Sequence, residues 1–334
     1  MNLVGRVTRA ARRLGRLFVV SAVVLVMLLL GGAPAHGGPI GPTLGPWHPV
    51  SWREVPAVTA NQGVARVSRP GGPSRLVTRG QGDVTSALSA HGWWHVGDPG
   101  SRRGYLLDAY QGRPGMHAKL FVLTTPTGRR TQWIHQDVAG EMLNNSFAAI
   151  APSGRWFVGG EWGEVGRLLV YPTPGLNPST RDHLKNLPLA ATIALTRPVR
   201  NVQGCSFSAP TVLFCATNDS RTDLFPMARQ LLRIDLAHPL DGHGDLGVPH
   251  ALGTVPQYSR CPGTGEIEGI DVSGPTLTVV VNEPNLCHDR SVLLTFARRA
   301  KCTSSHRPTP QSVAPPRPDD SYKPERVTQE AFLN

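Results

Sequence analysis

An all-β chain built by radial repetition of short antiparallel sheets is what the sequence predicts, and three observations carry that prediction. After residue 36 no segment sustains a helical period over three turns. Apolar runs bounded by Gly, Pro, Asn and Asp recur along the chain, which is the pattern of strands closed by turns. These runs fall into a unit written four times, with openings centred on Gly97, Phe147, Gly204 and Gly269 at steps of 50, 57 and 65 residues.

Each unit opens on a short signature: His95-Val96-Gly97-Asp98, Asn144-Asn145-Ser146-Phe147, Val202-Gln203-Gly204-Cys205 and Glu266-Ile267-Glu268-Gly269. A strongly apolar strand ending in a polar residue follows, at 104–110, 155–162, 212–219 and 277–283. A second apolar strand comes after a turn, at 118–124, 166–172, 229–235 and 291–297. One unit of about four strands cannot bury both its faces alone, whereas four to eight packed around an axis can, and that solution is the β-propeller. The expectation is about five blades, with four to six allowed, made of mostly four-stranded antiparallel sheets. Residues 64–67 and 76–78 supply strands to an irregular first blade or linker over 36–90.

The chain has 334 residues, and its 36 glycines and 31 prolines are about a fifth of them, with 40% apolar residues. That share lies below the roughly 25–30% of low-complexity chains, and the apolar fraction suffices for a core. Residues 1–35 read as a signal peptide. Arg6, Arg9, Arg12, Arg13 and Arg16 stand without an acid, uncharged residues 17–30 follow, and Ala33-Pro34-Ala35 offers a cleavage site. The apolar stretch is shorter than the roughly 18–20 residues of a spanning helix, so the membrane is touched only if the leader stays uncleaved. The expected product is secreted, with a propeller domain over 36–302 and a disordered Pro-rich tail over 303–334. Losing the leader's five arginines takes the net charge from +11 to +6, and the remaining cations are scattered singly. A nucleic-acid partner is therefore not expected, and the protein is read as a monomer.

Five cysteines, Cys205, Cys215, Cys261, Cys287 and Cys302, fit an oxidising compartment. Cys205 and Cys215 fall on consecutive strands of one unit, Cys261 and Cys287 bracket the last one, and these pairings are expected with Cys302 left over. No zinc-type cysteine or histidine spacing occurs.

The usual local motifs of hydrolases, phosphate loops and dinucleotide sites are missing. Chemistry in a propeller is built from single residues of different blades, and the first strands line the channel, so His95, Asp98, Asn145, Gln203, Glu266 and Glu268 are the positions of interest. Three readings stand side by side. These groups satisfy backbone polar atoms between blades; they hold Ca²⁺, with Asp98 and Glu268 as ligands and Asn145 and Gln203 as neutral partners; or they take another ligand. If the substrate is a lactone or ester, the metal polarises its carbonyl and His95 acts as base. A second acidic set, Asp108, Glu161, Asp219 and Glu283, is expected to hold turns by accepting backbone N–H groups. Trp93, Trp94, Trp156 and Trp162 read as blade packing or as a sugar-stacking platform.

The segments HVGDP, NNSFAAIAPSGRWFVGGEW, VQGCSF and EIEGIDV resemble blade openings in uncharacterised secreted propeller-like proteins of actinobacteria, and more remotely those of gluconolactonase-type propellers, over roughly residues 90–300. The second resemblance implies a divalent-metal role for Glu268 of the Glu268-Gly269 pair. Two functions follow as expectations. One is a cell-surface or extracellular binding or scaffold module for an unknown ligand, such as a cell-wall polymer or a protein. The other is a Ca²⁺-dependent hydrolase of gluconolactonase type acting on a lactone or ester.

Overall fold

The fold is that of a computed structural model, which describes residues 44–298 except 70, 181–185, 260 and 285–286. The expected leader over 1–35, Cys302 and the tail over 303–334 lie outside the described residues. The repeating units form sheets as predicted. Strands β4 (Trp93–Val96), β6 (Tyr105–Gly112), β7 (Ala118–Thr124) and β8 (Arg130–Gln136) lie side by side, with β5 (Gly100–Arg102) paired to β6. Next come β9 (Ala148–Ile150), β10 (Trp156–Gly159), β11 (Glu164–Pro172) and β12 (Ala191–Arg200), then β13 (Val202–Ala209), β14 (Val212–Thr217), β15 (Gln230–Leu236) and β16 (Asp245–Thr254). Each group of four is antiparallel within itself, while the outermost strands β12 and β16 pair in parallel at Ile193–Asp245 and join the two groups into one eight-stranded sheet.

The last sheet contains β17 (Glu266–Ser273), β18 (Thr276–Asn282) and β19 (Arg290–Arg298), and its fourth strand comes from the other end of the described chain. This is β1 (Trp47–Pro56), antiparallel to β19 from Trp47–Arg298 to Pro56–Arg290. The expected irregular N-terminal unit is thus divided. Its first strand closes the last sheet, and only the ribbon of β2 (Gly63–Arg69) and β3 (Gly72–Arg79) forms a separate sheet, flanked by short helices α1 (Ala57–Ala60) and α2 (Ser86–Ala90). Neither helix exceeds five residues.

Apolar side chains fill the spaces between successive sheets, which is why the central strands are apolar on both faces. Phe121, Phe157 and Tyr171 pack between the sheet of β4–β8 and strands β9–β12, Val170, Ile193, Leu213 and Leu232 between β9–β12 and β13–β16, and Phe214, Ile267, Val279 and Phe296 between β13–β16 and the last sheet. Val64 meets Val280 and Leu293 on one side of the ribbon, and Ala65 and Val67 meet Leu106 on the other, so the ring of cores is closed. Arg103 and Gly104 turn the β5–β6 hairpin with φ of 51° and 83°. A two-residue turn with both central residues at positive φ suits Asn and Gly, and an arginine there costs about 1–2 kcal/mol.

Both expected disulfides are present. Cys205–Cys215 links directly paired residues of β13 and β14, and Cys261–Cys287 joins the segments flanking β17 and β18. Each restricts the unfolded chain, so a Cys261→Ala/Cys287→Ala variant should lose about 2–4 kcal/mol of stability in guanidinium unfolding. A loss of less than about 0.5 kcal/mol would show that this bridge does not constrain the chain as the fold requires.

Candidate functional site

The inner strands all run from one mouth of the channel to the other, and they meet at Asp98. This side chain is 1% exposed. One carboxylate oxygen accepts the Val64 N–H of β2 at 2.8 Å, and the other accepts the Ile270 N–H of β17 at 3.2 Å. The Asp98 main chain continues the contact round the axis, donating to the Ser146 carbonyl at 2.8 Å and accepting from the Ala148 N–H at 2.9 Å. Gly63, Gly204 and Gly269, from three other inner strands, abut it so closely that a Cβ on any of them would collide with Asp98. Burial pushes the Asp98 carboxyl well above its usual range, the two N–H groups pull it back in part, and the Asp271 charge adds to the rise.

Residues that precede this level on the inner strands line an upper cavity of about 270 Å³. His95 stands on β4, Asn144 and Ser146 lie just before β9, Gln203 on β13, and Glu266 and Glu268 on β17. Gln62, Gln111, Trp94 and Trp162 complete the wall. The blade openings therefore converge on one site. His95 sits in a cross-strand row in which it pairs with Gln111, Gln111 with Lys119, and Lys119 with His135. Asn144 Nδ2 donates to Gln111 Oε1 at 3.3 Å, and Trp94 Nε1 anchors to the Gly112 carbonyl at 2.9 Å while the residue stays 44% exposed. Among the described residues the His95 ring and the Gln203 amide have no hydrogen-bonding partner in the protein. Burial lowers the His95 pKa and favours the neutral ring.

Glu268 is buried beneath this cavity. Asn282 Nδ2 donates to its Oε1 at 3.0 Å, and Asn282 Oδ1 in turn accepts from the Ser291 hydroxyl at 2.8 Å. Desolvation raises the Glu268 carboxyl well above the usual range, reinforced by the adjacent Glu266, to which it hydrogen-bonds, and by Asp98. A protonated, neutral carboxyl at the floor of the cavity is the form this environment favours.

The four oxygen donors expected to hold Ca²⁺ are not gathered into one ligand set. Asp98 is engaged by two N–H groups whose hydrogens would repel a cation, and Asn145 is buried in the wall with its Nδ2 donating to the Tyr110 and Leu120 carbonyls at 3.2 and 3.3 Å. Gln203 and Glu268 face the cavity, which leaves them far short of the six to eight oxygens calcium takes. These residues do not fit the ion. Metal-type ligand groups do occur elsewhere among the described residues. His135, Asp137 and Glu141 converge, but the Lys119 ammonium already lies 2.8 Å from Glu141, and in the group of Cys261, Glu283 and Cys287 both sulfurs are in the disulfide. Burial alone would raise the Glu141 carboxyl, yet hydrogen bonds from His135, Lys119 and the Val138 N–H outweigh it and hold that pKa far below the ordinary value. Sequence reading missed this buried cluster, whose only local signal is a lysine inside the apolar run of β7.

The second acidic set has the expected employment at two of its four positions. Asp108 takes no turn N–H; it receives Arg79 through Nε at 2.7 Å and Nη2 at 3.1 Å. Glu161 and Asp219 do accept backbone N–H groups, from Met142 and Arg221, but each also pairs with a guanidinium, of Arg167 and Arg200. Glu283 accepts from the Ser259 hydroxyl at 3.1 Å. The tryptophans divide between their two readings: Trp93 is core, Trp156 packs on the core between β9–β12 and β13–β16, and Trp94 and Trp162 edge the cavity.

No family model matches the chain, and no curated protein matches it. Among solved structures it is similar to a glycosyl hydrolase from Bacteroides ovatus, at 11% identity over 68% of this chain and 72% of that one, with a TM-score of 0.37. The Bacillus subtilis arabinanase Arb43A is 13% identical over 75% of this chain and 93% of its own, also with a TM-score of 0.37. Hsv2 of Kluyveromyces lactis is 10% identical over 52% of this chain and 50% of its own, with a TM-score of 0.30. The class of protein is an all-β propeller, and the substrates of these neighbours remain theirs.

The raised Glu268 carboxyl has a consequence for stability. It binds its proton more tightly in the folded than in the unfolded chain, so the stability it permits is complete below about pH 4 and declines as pH climbs towards the raised folded value. Glu268→Gln cannot ionise. The variant should therefore gain on wild type in urea unfolding as pH rises above about 4, the unfolded value. A difference between the two proteins that does not change with pH would contradict this.

Proposed function

We propose that this chain is an exported β-propeller that serves as a binding module, taking a neutral, hydroxyl-rich ligand such as a cell-wall carbohydrate at the upper mouth of its channel. The observation that supports this reading is the convergence of all the inner-strand openings on one cavity whose polar groups are mostly uncharged. The amides of Gln62, Gln111, Asn144 and Gln203 both donate and accept hydrogen bonds, as hydroxyl groups require. The His95 ring and the Gln203 amide are left to a ligand, above the buried Glu268. Trp94 and Trp162 at the rim offer flat apolar faces to the C–H side of a sugar ring. The two disulfides agree with an oxidising compartment, and no helix among the described residues is long and apolar enough to cross a membrane.

A hydrolytic reading stands second, on the apposition of the exposed Glu266 and the buried Glu268 in the cavity. A carboxyl kept protonated by burial beside a second carboxylate is the group able to hand a proton to a leaving oxygen. This reading uses no metal.

Binding to an array of neutral polysaccharides, anionic cell-wall polymers and peptides, followed by calorimetric titration of the hits, tests the proposal. Trp94→Ala and Gln203→Ala should each weaken carbohydrate binding by roughly tenfold, the equivalent of one good contact. Failure to bind any carbohydrate, or binding untouched by both substitutions, would remove the upper mouth as the site. Turnover of the bound ligand that Glu268→Gln abolishes, with binding retained, would establish the hydrolytic reading instead.

A further inference from the structure

Below the level of Asp98 the same inner strands line a second cavity, of about 240 Å³, at the opposite mouth. It is walled by residues that follow the Asp98 level: Arg66 on β2, Ser101 and Arg102 on β5, Arg103 in its turn, Ser206 on β13 and Asp271 on β17. Three arginines and one carboxylate line it. Arg66 Nε is buried without a hydrogen-bond partner, and the nearest acid, Asp271 Oδ2, is 3.8 Å away. Arg102 and Arg103 have no carboxylate within ion-pair distance among the described residues.

The backbone fixes this arrangement. The Arg66 N–H donates to Asp271 Oδ1 at 2.8 Å, and the Arg66 carbonyl accepts from the Ser101 hydroxyl at 2.6 Å, so β17 and β5 together aim the side chain. Arg103 is kept at the hairpin tip in a left-handed conformation that glycine or asparagine would adopt more readily. Elsewhere in the fold buried acids meet arginines at hydrogen-bond distance, as Asp108 meets Arg79 at 2.7 Å and Asp219 meets Arg200 at 3.0 Å. The lower mouth departs from that rule by carrying an excess of unanswered donors, with Ser68 and Ser74 beside them.

From this geometry we infer that the lower cavity binds a small ligand bearing an oxyanion, a phosphoryl, sulfuryl or carboxylate group, held by Arg66, Arg102 and Arg103. The planar guanidinium fork matches two oxygens of such a group at once, and a partly desolvated guanidinium whose Nε has no hydrogen-bond acceptor gains most from it. The volume lies below the roughly 300 Å³ at which sites for larger organic ligands begin, so one anionic group with a short body is the size that fits. The site is separate from the upper mouth and independent of the function proposed there.

The test is calorimetric titration of the full chain with inorganic phosphate, inorganic sulfate and acetate, at low ionic strength and again with added sodium chloride. Saturable binding of at least one anion at millimolar concentration is expected, weakening as salt rises, and the preferred anion identifies which of the three groups the natural ligand carries. Arg102→Ala/Arg103→Ala should weaken it at least tenfold, as should Arg66→Gln, whereas Trp94→Ala at the other mouth should bind as wild type does. The double variant alters the turn and the rim and decides the matter even if Arg66→Gln fails to fold. No saturable binding of any of the three, or equal binding by the double variant, overturns the inference.

Discussion

One buried carboxyl organises this propeller. Asp98 stands where the inner strands meet, and each of its oxygens holds an N–H from a different strand, Val64 from the ribbon and Ile270 from the last sheet. Edges of inner strands carry unpaired backbone groups, and burying them unsatisfied costs about 1–3 kcal/mol each. A side-chain acceptor at the axis meets that cost for two strands that do not pair with each other. Glycines at 63, 204 and 269 are the complement, because no side chain fits between those strands and the carboxylate. The rise in its proton affinity is the electrostatic mark of this position, with burial as the main cause.

The two mouths follow from the same constraint. Asp98 and its glycine collar separate the residues before it on each inner strand from those after it, so one channel becomes two cavities of opposite character. The upper one is amide-rich, with the buried Glu268 at the floor and tryptophans at the rim. The lower one is rich in arginine and serine. Closure of the ring by β1 on β19 keeps both cavities in shape, since the last sheet owes its fourth strand to the start of the domain. Around this frame the charged side chains of the blade edges are mostly paired internally, through Asp108 with Arg79, Glu161 with Arg167, and the buried Lys119, His135 and Glu141 group.

Much of this was legible before the structure, and the reason is periodicity. The second strands at 118–124, 166–172, 229–235 and 291–297 became β7, β11, β15 and β19 within one or two residues, because a strand packed on both faces has to be apolar throughout. The blade openings were legible as a repeat, and the upper cavity indeed collects His95, Gln203, Glu266 and Glu268. What each opening does was not legible. Asp98 and Asn145 read as oxygen donors for a cation, but whether an oxygen meets an ion or an N–H depends on neighbours 34 and 172 residues away. The pairing of β1 with β19, the parallel pairing of β12 with β16 and the arginine partners of Asp108 and Asp219 are likewise non-local facts that carry no local pattern. The lower basic cavity escaped for the same reason. Arg66, Arg102 and Arg103 are unremarkable in a chain with arginines scattered throughout, and only the ring brings them together.

Native-state hydrogen exchange of the Val64 and Ile270 amides measures the central claim most directly. If Asp98 holds the axis, both amides exchange only through global unfolding, as slowly as the amides at the middle of β7 and β18, and Asp98→Asn speeds them selectively. Rapid exchange of either amide in the wild-type protein, at rates typical of the exposed turns, would show that the axis is open and that Asp98 does not organise the ring.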